Sequence, residues 1–114
     1  MRSLILSVTL FTGLAAMADT TNVVDCIRKA TAERLVGGSN VNITRLCAYA
    51  SSSMPIECAK RATAEGLVGG SNTNISTLCA GATSLAPIDC AKQLTAEGLL
   101  GGSKVNIANA CSGT

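Results

Sequence analysis

Six cysteines are the residues whose type and spacing point most directly to chemistry. Their separations alternate between 21 and 11 residues along the chain: Cys26, Cys47, Cys58, Cys79, Cys90 and Cys111. Zinc sites usually hold cysteines two to four residues apart, so this spacing does not favour a metal-thiolate centre. In an exported chain an even number of cysteines is typical of disulfides. The spacing therefore predicts three disulfides and no metal site.

Histidine does not occur in the 114 residues. The sequence therefore lacks the commonest general base and the commonest neutral metal ligand. Enzymatic acid–base or nucleophilic chemistry requires a group titrating near the working pH, or an activated nucleophile. No such constellation stands out, so we predict a non-enzymatic protein with no catalytic residues and no cofactor.

Two charged positions recur along the chain with opposite sign. The acidic position is Glu33, Glu65 and Glu97, and the basic position is Arg28, Lys60 and Lys92. A row of carboxylates could bind a cation or a basic ligand. We favour a simpler interpretation, in which the glutamates are solvated or accept free backbone N–H groups at the start of a following helix. The basic row is predicted to be a solvated face.

Two Asn-Ile-Thr/Ser triplets fit the N-glycosylation sequon, beginning at Asn42 and Asn74. The corresponding third triplet begins at Asn106 but ends in Ala108, so it keeps the asparagine without the hydroxyl. The asparagine is therefore predicted to have a structural role, such as capping a helix. Asn42 and Asn74 remain candidate glycosylation sites.

A unit of about 32 residues occurs three times, as is typical of repeat proteins. Each copy keeps an acid before its first cysteine, the string T-A-E-x-L-x-G-G-S, an Asn-Ile pair and a closing cysteine. The Gly-Gly-Ser triplet lacks the strand and the Lys-Ser/Thr of a phosphate-binding loop, so a turn is predicted there. We place the first, second and third units at about 25–55, 56–87 and 88–114, within a single small domain of residues 19–114.

Helical periodicity describes each unit best. In the second unit we predict a first helix over Ile56 to Val68, which the Gly-Gly pair ends. A second helix follows, capped by Ser71 or Asn74. Its apolar face is spaced i, i+3, i+4 and i+7 and consists of Ile75, Leu78, Cys79 and Ala82. The fold class is therefore all-α, with three tandem αα-hairpin repeats; the alternative is a small Gly-rich β-solenoid.

The hairpin model favours one disulfide pairing. Antiparallel helices joined at Gly-Gly bring the two cysteines of a unit together at the open end, which predicts Cys26–Cys47, Cys58–Cys79 and Cys90–Cys111. A rival scheme links neighbouring units through Cys47–Cys58 and Cys79–Cys90, with Cys26–Cys111. Six cysteines allow about 15 connectivities, so sequence leaves the others open.

The first 18 residues have the layout of a secretory signal peptide. A basic Arg2 precedes a mainly apolar stretch, and Ala16-Met17-Ala18 is a small-x-small cleavage site. The alternative is an uncleaved N-terminal anchor. No later apolar stretch is long enough to predict a transmembrane segment.

The predicted mature chain has eight basic and seven acidic residues, a net charge of +1, and Tyr49 as its sole aromatic residue. This balance gives no electrostatic reason to expect nucleic acid as a partner. We therefore predict a secreted, extracellular structural or interaction module with an extracellular partner or matrix. The alternatives are a small defence, venom or effector-type factor, and a carrier of a small apolar ligand such as a lipid.

Overall fold

The structure, a computed structural model, describes residues 20–114. The predicted signal peptide, residues 1–18, lies outside the described residues. Within them the chain is all-helical, with six α-helices and no strand, so the β-solenoid alternative is wrong. The helices are α1 at residues 20–32, α2 at Asn40–Cys47, α3 at Met54–Ala64, α4 at Asn72–Cys79, α5 at Ala86–Ala96 and α6 at Lys104–Cys111.

The helices form two rows. The first row holds α1, α3 and α5, with α3 packed on α5; the second row holds α2, α4 and α6, with α2 packed on α4 and α4 packed on α6. α1 lies beside α3, because the Lys60 ammonium reaches the Glu33 carboxylate and the Asn22 amide donates to the carbonyl of Ser51. Helix pairs also cross between the rows, with α3 against α4 and α5 against α6. The core lies between the two rows.

Three disulfides join the rows, and they are the pairs that the hairpin model predicts. They connect Cys26 to Cys47, Cys58 to Cys79 and Cys90 to Cys111. Each has a Cα–Cα distance of 5.6 Å and a sequence separation of 21. The described part of the chain therefore holds no free cysteine.

Short 3₁₀ turns connect the paired helices: we call Leu35–Gly38, Leu67–Gly70 and Leu99–Gly102 the first, second and third Gly-Gly turns. The second turn shows why glycine is needed. Val68, Gly69 and Gly70 have φ of 45°, 73° and 69°, three successive residues in the left-handed region. Glycine enters this region at no steric cost, whereas a β-branched residue is strained there. The chain thus reverses through a left-handed turn.

The predicted end of the first helix was wrong by four residues. We expected helix α3 to run to Val68, but it ends at Ala64. Glu65 follows as the C-cap, and Gly66 then adopts φ 62° and ψ 29°, the left-handed conformation that commonly closes a helix. Gly66 is therefore a helix terminator and not an interior residue.

The starts of the second-row helices correct the predicted role of the recurring asparagine. At each start a serine hydroxyl accepts a hydrogen bond of 3.3 Å from the backbone N–H three residues on; the serines are Ser39, Ser71 and Ser103. The donors are the asparagines Asn42, Asn74 and Asn106. Serine is thus the N-cap, and asparagine is the third residue of the helix.

The first-row helices α3 and α5 each carry a proline in their first turn, after a Ser- and Ala-rich linker at residues 48–53 and 80–85. Pro55 and Pro87 stand there, where the missing N–H removes no intrahelical bond. The free N–H of Met54 bonds to the hydroxyl of Ser52 at 3.1 Å, and a serine plays the same part before α5. Ser/Ala-rich linkers thereby initiate both helices.

Small side chains fill much of the core. Alanines on the first-row helices are fully buried: Ala30, Ala59, Ala62 and Ala91. The predicted apolar face of α4 is buried as well, with Ile75, Leu78 and Cys79 fully inaccessible. Because alanine projects little beyond the backbone, the helices approach closely and the buried apolar volume is modest. Such a core leaves much of the stability to the disulfides.

Arg34 adopts, in the first unit, the left-handed conformation that ends the helix, and this allows the cost of that conformation to be measured. Arg34 has φ 53°, and Gly66 and Gly98 hold the corresponding positions in the second and third units at φ 62° and 65°. An arginine in the left-handed region is strained by about 1 kcal/mol. We expect Arg34→Gly to raise the free energy of unfolding by about 1 kcal/mol in urea denaturation of the oxidised protein.

The matched control for Arg34→Gly is Gly66→Ala. A Cβ at Gly66 would meet no atom within 4 Å, so this change isolates backbone strain from steric collision. We expect Gly66→Ala to lower stability by about 1 kcal/mol. Equal and small effects of both changes would contradict the proposed strain.

Removal of the central disulfide tests its contribution. In the chain-entropy model a crosslink over 21 residues contributes about 3 kcal/mol. We expect Cys58→Ala with Cys79→Ala to lower the free energy of unfolding by at least that amount, measured by urea denaturation under circular dichroism. The paired change Cys90→Ala with Cys111→Ala is the comparison, and it should cost less because, within residues 20–114, α5 and α6 pack on a preceding helix pair only.

Candidate interaction surface

The two charged rows predicted from sequence lie together on the surface of the first helix row. The Lys60 ammonium lies 3.2 Å from the carboxylate of Glu33, and the Lys92 ammonium lies 3.1 Å from that of Glu65. In both pairs the glutamate follows the end of one first-row helix, and the lysine stands on the next first-row helix. The rows thus form a ladder of ion pairs that crosses from unit to unit.

Glu33 and Glu65 form ion pairs with lysines and do not accept backbone N–H groups of residues 20–114. Backbone N–H groups at the start of the second-row helices were one expected partner. In the first two units a serine hydroxyl occupies that role, at Ser39 and Ser71, while Glu33 and Glu65 face lysines. Glu65 also lies 3.8 Å from the guanidinium of Arg61 on its own helix. The surface here is therefore a matched set of charges and not a row of carboxylates open to a cation.

At the two ends of the ladder the charged residues pair within their own helix. The Arg28 guanidinium lies 3.8 Å from the carboxylate of Asp25, in a highly exposed pair. The Glu97 carboxylate accepts a hydrogen bond of 2.9 Å from the side-chain amide of Gln93. Arg28 and Glu97 are thus the basic and acidic members that lack a cross-unit partner among the described residues.

A groove of about 610 Å³ lies between α1 and the start of α3. Its lining combines charged side chains from α1 and serines from the segment before α3 with a larger share of apolar surface. Charged or polar members include Asp25, Arg28, Lys29, Glu33, Ser52 and Ser53. Apolar contact comes from Ile56 and Ala32 at its floor. The groove therefore presents an apolar surface bordered by charged and polar groups, an amphipathic lining.

The candidate glycosylation sites are not free amides. Asn42 is 9% exposed, and its carbonyl oxygen lies 3.5 Å from the Arg45 guanidinium. The Asn74 amide nitrogen donates to the backbone carbonyl of Val68 at 3.4 Å, and the hydroxyl of Ser76 is buried against its own helix. A glycan on Asn74 would require that amide to leave the second Gly-Gly turn. Glycosylation at both positions stays a prediction.

The described residues form neither a metal-binding cluster nor a membrane-spanning helix. Among residues 20–114, no three His, Cys, Asp or Glu side chains converge as a metal ion would require. No helix in that part of the chain combines the length and apolarity needed to cross a bilayer.

Over the described residues, the protein is small and all-helical, with three disulfides. Comparison of the chain with models of protein families, with curated proteins and with solved structures finds no match. Functional inference therefore depends on the residues and their geometry.

A double-mutant cycle tests the ladder. Glu33→Gln and Lys60→Met, singly and together, should give a coupling energy of about 0.5 kcal/mol in urea denaturation, as is usual for partly exposed pairs. We expect that coupling to fall in 1 M NaCl, where charges are screened within about 3 Å. The control cycle uses Asp25→Asn and Arg28→Met, whose 3.8 Å pair is more exposed and should couple less. Equal coupling in the two cycles would contradict a ladder between units.

Proposed function

We propose that this chain is a secreted, disulfide-rich, non-enzymatic repeat protein that serves as a structural or interaction module outside the cell. Its three tandem αα-hairpin units would each present a similar surface to an extracellular partner or matrix. The observation that carries the proposal is the recurrence of one disulfide-closed helix pair at intervals of 32 residues. Such a scaffold holds several similar surfaces at fixed spacing.

Export is supported by two features of different origin. Residues 1–18 have the sequence pattern of a cleaved signal peptide. Three disulfides join all six cysteines, and disulfides persist in oxidising compartments. The proposed mature protein begins at Asp19.

Repetition of the surface supports binding through several sites at once. A partner that contacts one unit weakly can contact the next without a further loss of translational freedom, which raises overall affinity. Each disulfide holds one helix pair together, and helix packing with the ion-pair ladder joins one unit to the next. Little ordering entropy is therefore lost when a partner engages several units. A polymeric or repetitive matrix component is the kind of partner that such spacing fits.

The other two functions predicted from sequence receive less support. For an apolar-ligand carrier, the groove between α1 and α3 offers apolar surface but is open to solvent and bordered by charged side chains, so it is not an enclosed apolar pocket. For a defence factor that disrupts membranes, a net charge of +1 on the mature chain gives weak attraction to anionic lipid. A defence or effector role through protein binding fits the same repeated surface and differs only in the partner.

Secretion is tested by expressing the full chain in a secretory host and measuring the intact mass of the protein in the medium. We expect an N-terminus at Asp19 and a mass lower by six hydrogens than that of the reduced chain. The same spectrum reports any glycan on Asn42 or Asn74. Retention in the cell with residues 1–18 attached, or six free thiols, would contradict the proposal.

Interaction is tested with that purified protein and with extracellular material from the source tissue. Binding of the oxidised protein should exceed that of a reduced and alkylated sample, because alkylation leaves the composition but removes the scaffold. A synthetic single unit, residues 56–87 with its disulfide closed, should bind at least about tenfold more weakly if several units act together. Equal binding by the single unit would contradict the multivalent mechanism.

A further inference from the structure

The two ends of the helical array differ from its interior in exposure of apolar side chains. In the first and second Gly-Gly turns, Val36 and Val68 are 3% exposed. Leu100, the corresponding residue of the third turn, is 46% exposed, and Leu99 beside it is exposed to the same extent. The first two turns are covered by the helices of the following unit, since the first contacts α3 and α4 and the second contacts α5 and α6. Among residues 20–114, no further helix pair covers the third turn.

The opposite end shows the complementary difference. Ile56 and Ala59 on α3 are 1% and 0% exposed. The corresponding residues of α1, Val24 and Ile27, are 39% and 38% exposed. Ile56 and Ala59 are covered because α1 lies against α3, whereas no helix of the described residues lies against the outer side of α1. We call Val24, Ile27 and Arg28 the N-terminal end face, and Leu94, Glu97, Leu99 and Leu100 the C-terminal end face.

We propose that these two end faces bind each other between copies of the protein, so that the chain assembles head to tail. The occupant of the C-terminal end face is the N-terminal end face of a second copy. The inference rests on the tandem-repeat architecture proposed above, because a contact between copies would continue the contact already present between units. It does not depend on the extracellular partner.

Charge complementarity specifies the orientation. Within the chain, each glutamate of the ladder faces a basic residue one unit further on, at 3.2 and 3.1 Å. Glu97 on the C-terminal end face lacks that basic residue, and Arg28 on the N-terminal end face occupies the position of Lys60 and Lys92. A second copy placed as a fourth unit brings its Arg28 toward Glu97. Two identical end faces placed together would instead bring like charges together.

The composition of the ends also favours association over capping. Terminal repeats that end an array in solution usually carry a polar outer face. Here the interior alanines Ala30 and Ala62 correspond to Leu94 at the end, and Ala59 corresponds to Ile27. At both ends the side chain is apolar and larger than its interior counterpart, whereas a terminal repeat that ends an array would carry a polar side chain there. A contact between copies would therefore bury more apolar volume at these positions than the contact between units does.

The contact is heterologous, since two different faces meet, and this makes a sharp test available. Leu100→Asp blocks the C-terminal end face; aspartate tolerates the left-handed conformation that Leu100 holds at φ 56°. Ile27→Asp blocks the N-terminal end face on α1. Each variant keeps one intact face. Sedimentation velocity is measured on the protein recovered from the medium, at concentrations from about 10 µM to 1 mM, where weak interfaces dissociate.

We expect the wild-type sedimentation coefficient to rise with concentration, and each single variant to remain monomeric over the range. An equimolar mixture of the two variants should form a 1:1 dimer and nothing larger, because one intact face of each kind is present. The expected loss of affinity for either variant is at least about tenfold, since a charge is placed against apolar surface. The matched control is Val41→Asp. Val41 is an exposed apolar residue, but the corresponding residue of the second unit, Thr73, is also exposed, so this position does not take part in contacts between units.

A charge exchange tests the ladder contact separately. Arg28→Glu and Glu97→Lys should each weaken self-association about threefold to tenfold, and the chain carrying both should recover it. Three results would overturn the proposal. The wild-type protein could remain monomeric at about 1 mM, both with and without residues 1–18. Alternatively, Ile27→Asp could form a dimer by itself, or the mixture of the two variants could fail to associate. The monomeric variants also serve in the extracellular binding assay, so loss of assembly and loss of partner binding are observed independently.

Discussion

The structure depends on holding two short helices close together at both ends. At the open end of each pair a disulfide fixes the Cα atoms 5.6 Å apart. At the other end a left-handed Gly-Gly turn reverses the chain over few residues. Where buried alanines bring the helices close together, small changes in helix separation would lose a large share of the packing. The covalent and backbone constraints therefore maintain a contact that apolar volume alone would not.

The Gly-Gly turns connect backbone strain with packing between units. A valine with φ 45° is strained, and it persists where the surroundings compensate. Val36 and Val68 are buried by the next helix pair, so their apolar burial offsets the strain. In the third turn, where no helix pair follows, the residue is Leu100, which lacks β-branching. Gly37 matters for the same contact, because a Cβ there would lie 2.5 Å from the Asn72 side chain.

Sequence predicted the helical class, the reversal at Gly-Gly and the pairing of helices well, because periodicity, glycine and cysteine spacing are local signals. It failed at the end of α3, since a left-handed residue such as Gly66 cannot be distinguished in composition from a tolerated glycine inside a helix. It left the cap of α4 open between Ser71 and Asn74 and favoured a capping role for the recurring asparagine, whereas the serine is the cap. The ladder was missed for a different reason. Glu33 and Lys60 are 27 residues apart, and their contact depends on how units stack, which no local pattern encodes.

Apolar and charged contacts have different roles in that stacking. Burial of valine, isoleucine and alanine between units is non-directional and supplies most of the free energy of packing. A surface ion pair supplies little free energy but is sensitive to position, so the ladder distinguishes the correct register of one unit on the next from a shifted one. Both kinds of contact join unlike faces of neighbouring units, and an array joined in this way leaves one face of each kind unmatched at its two ends. In the proposed tandem-repeat architecture, the first and last of the three described units would therefore differ from the middle unit in what covers them.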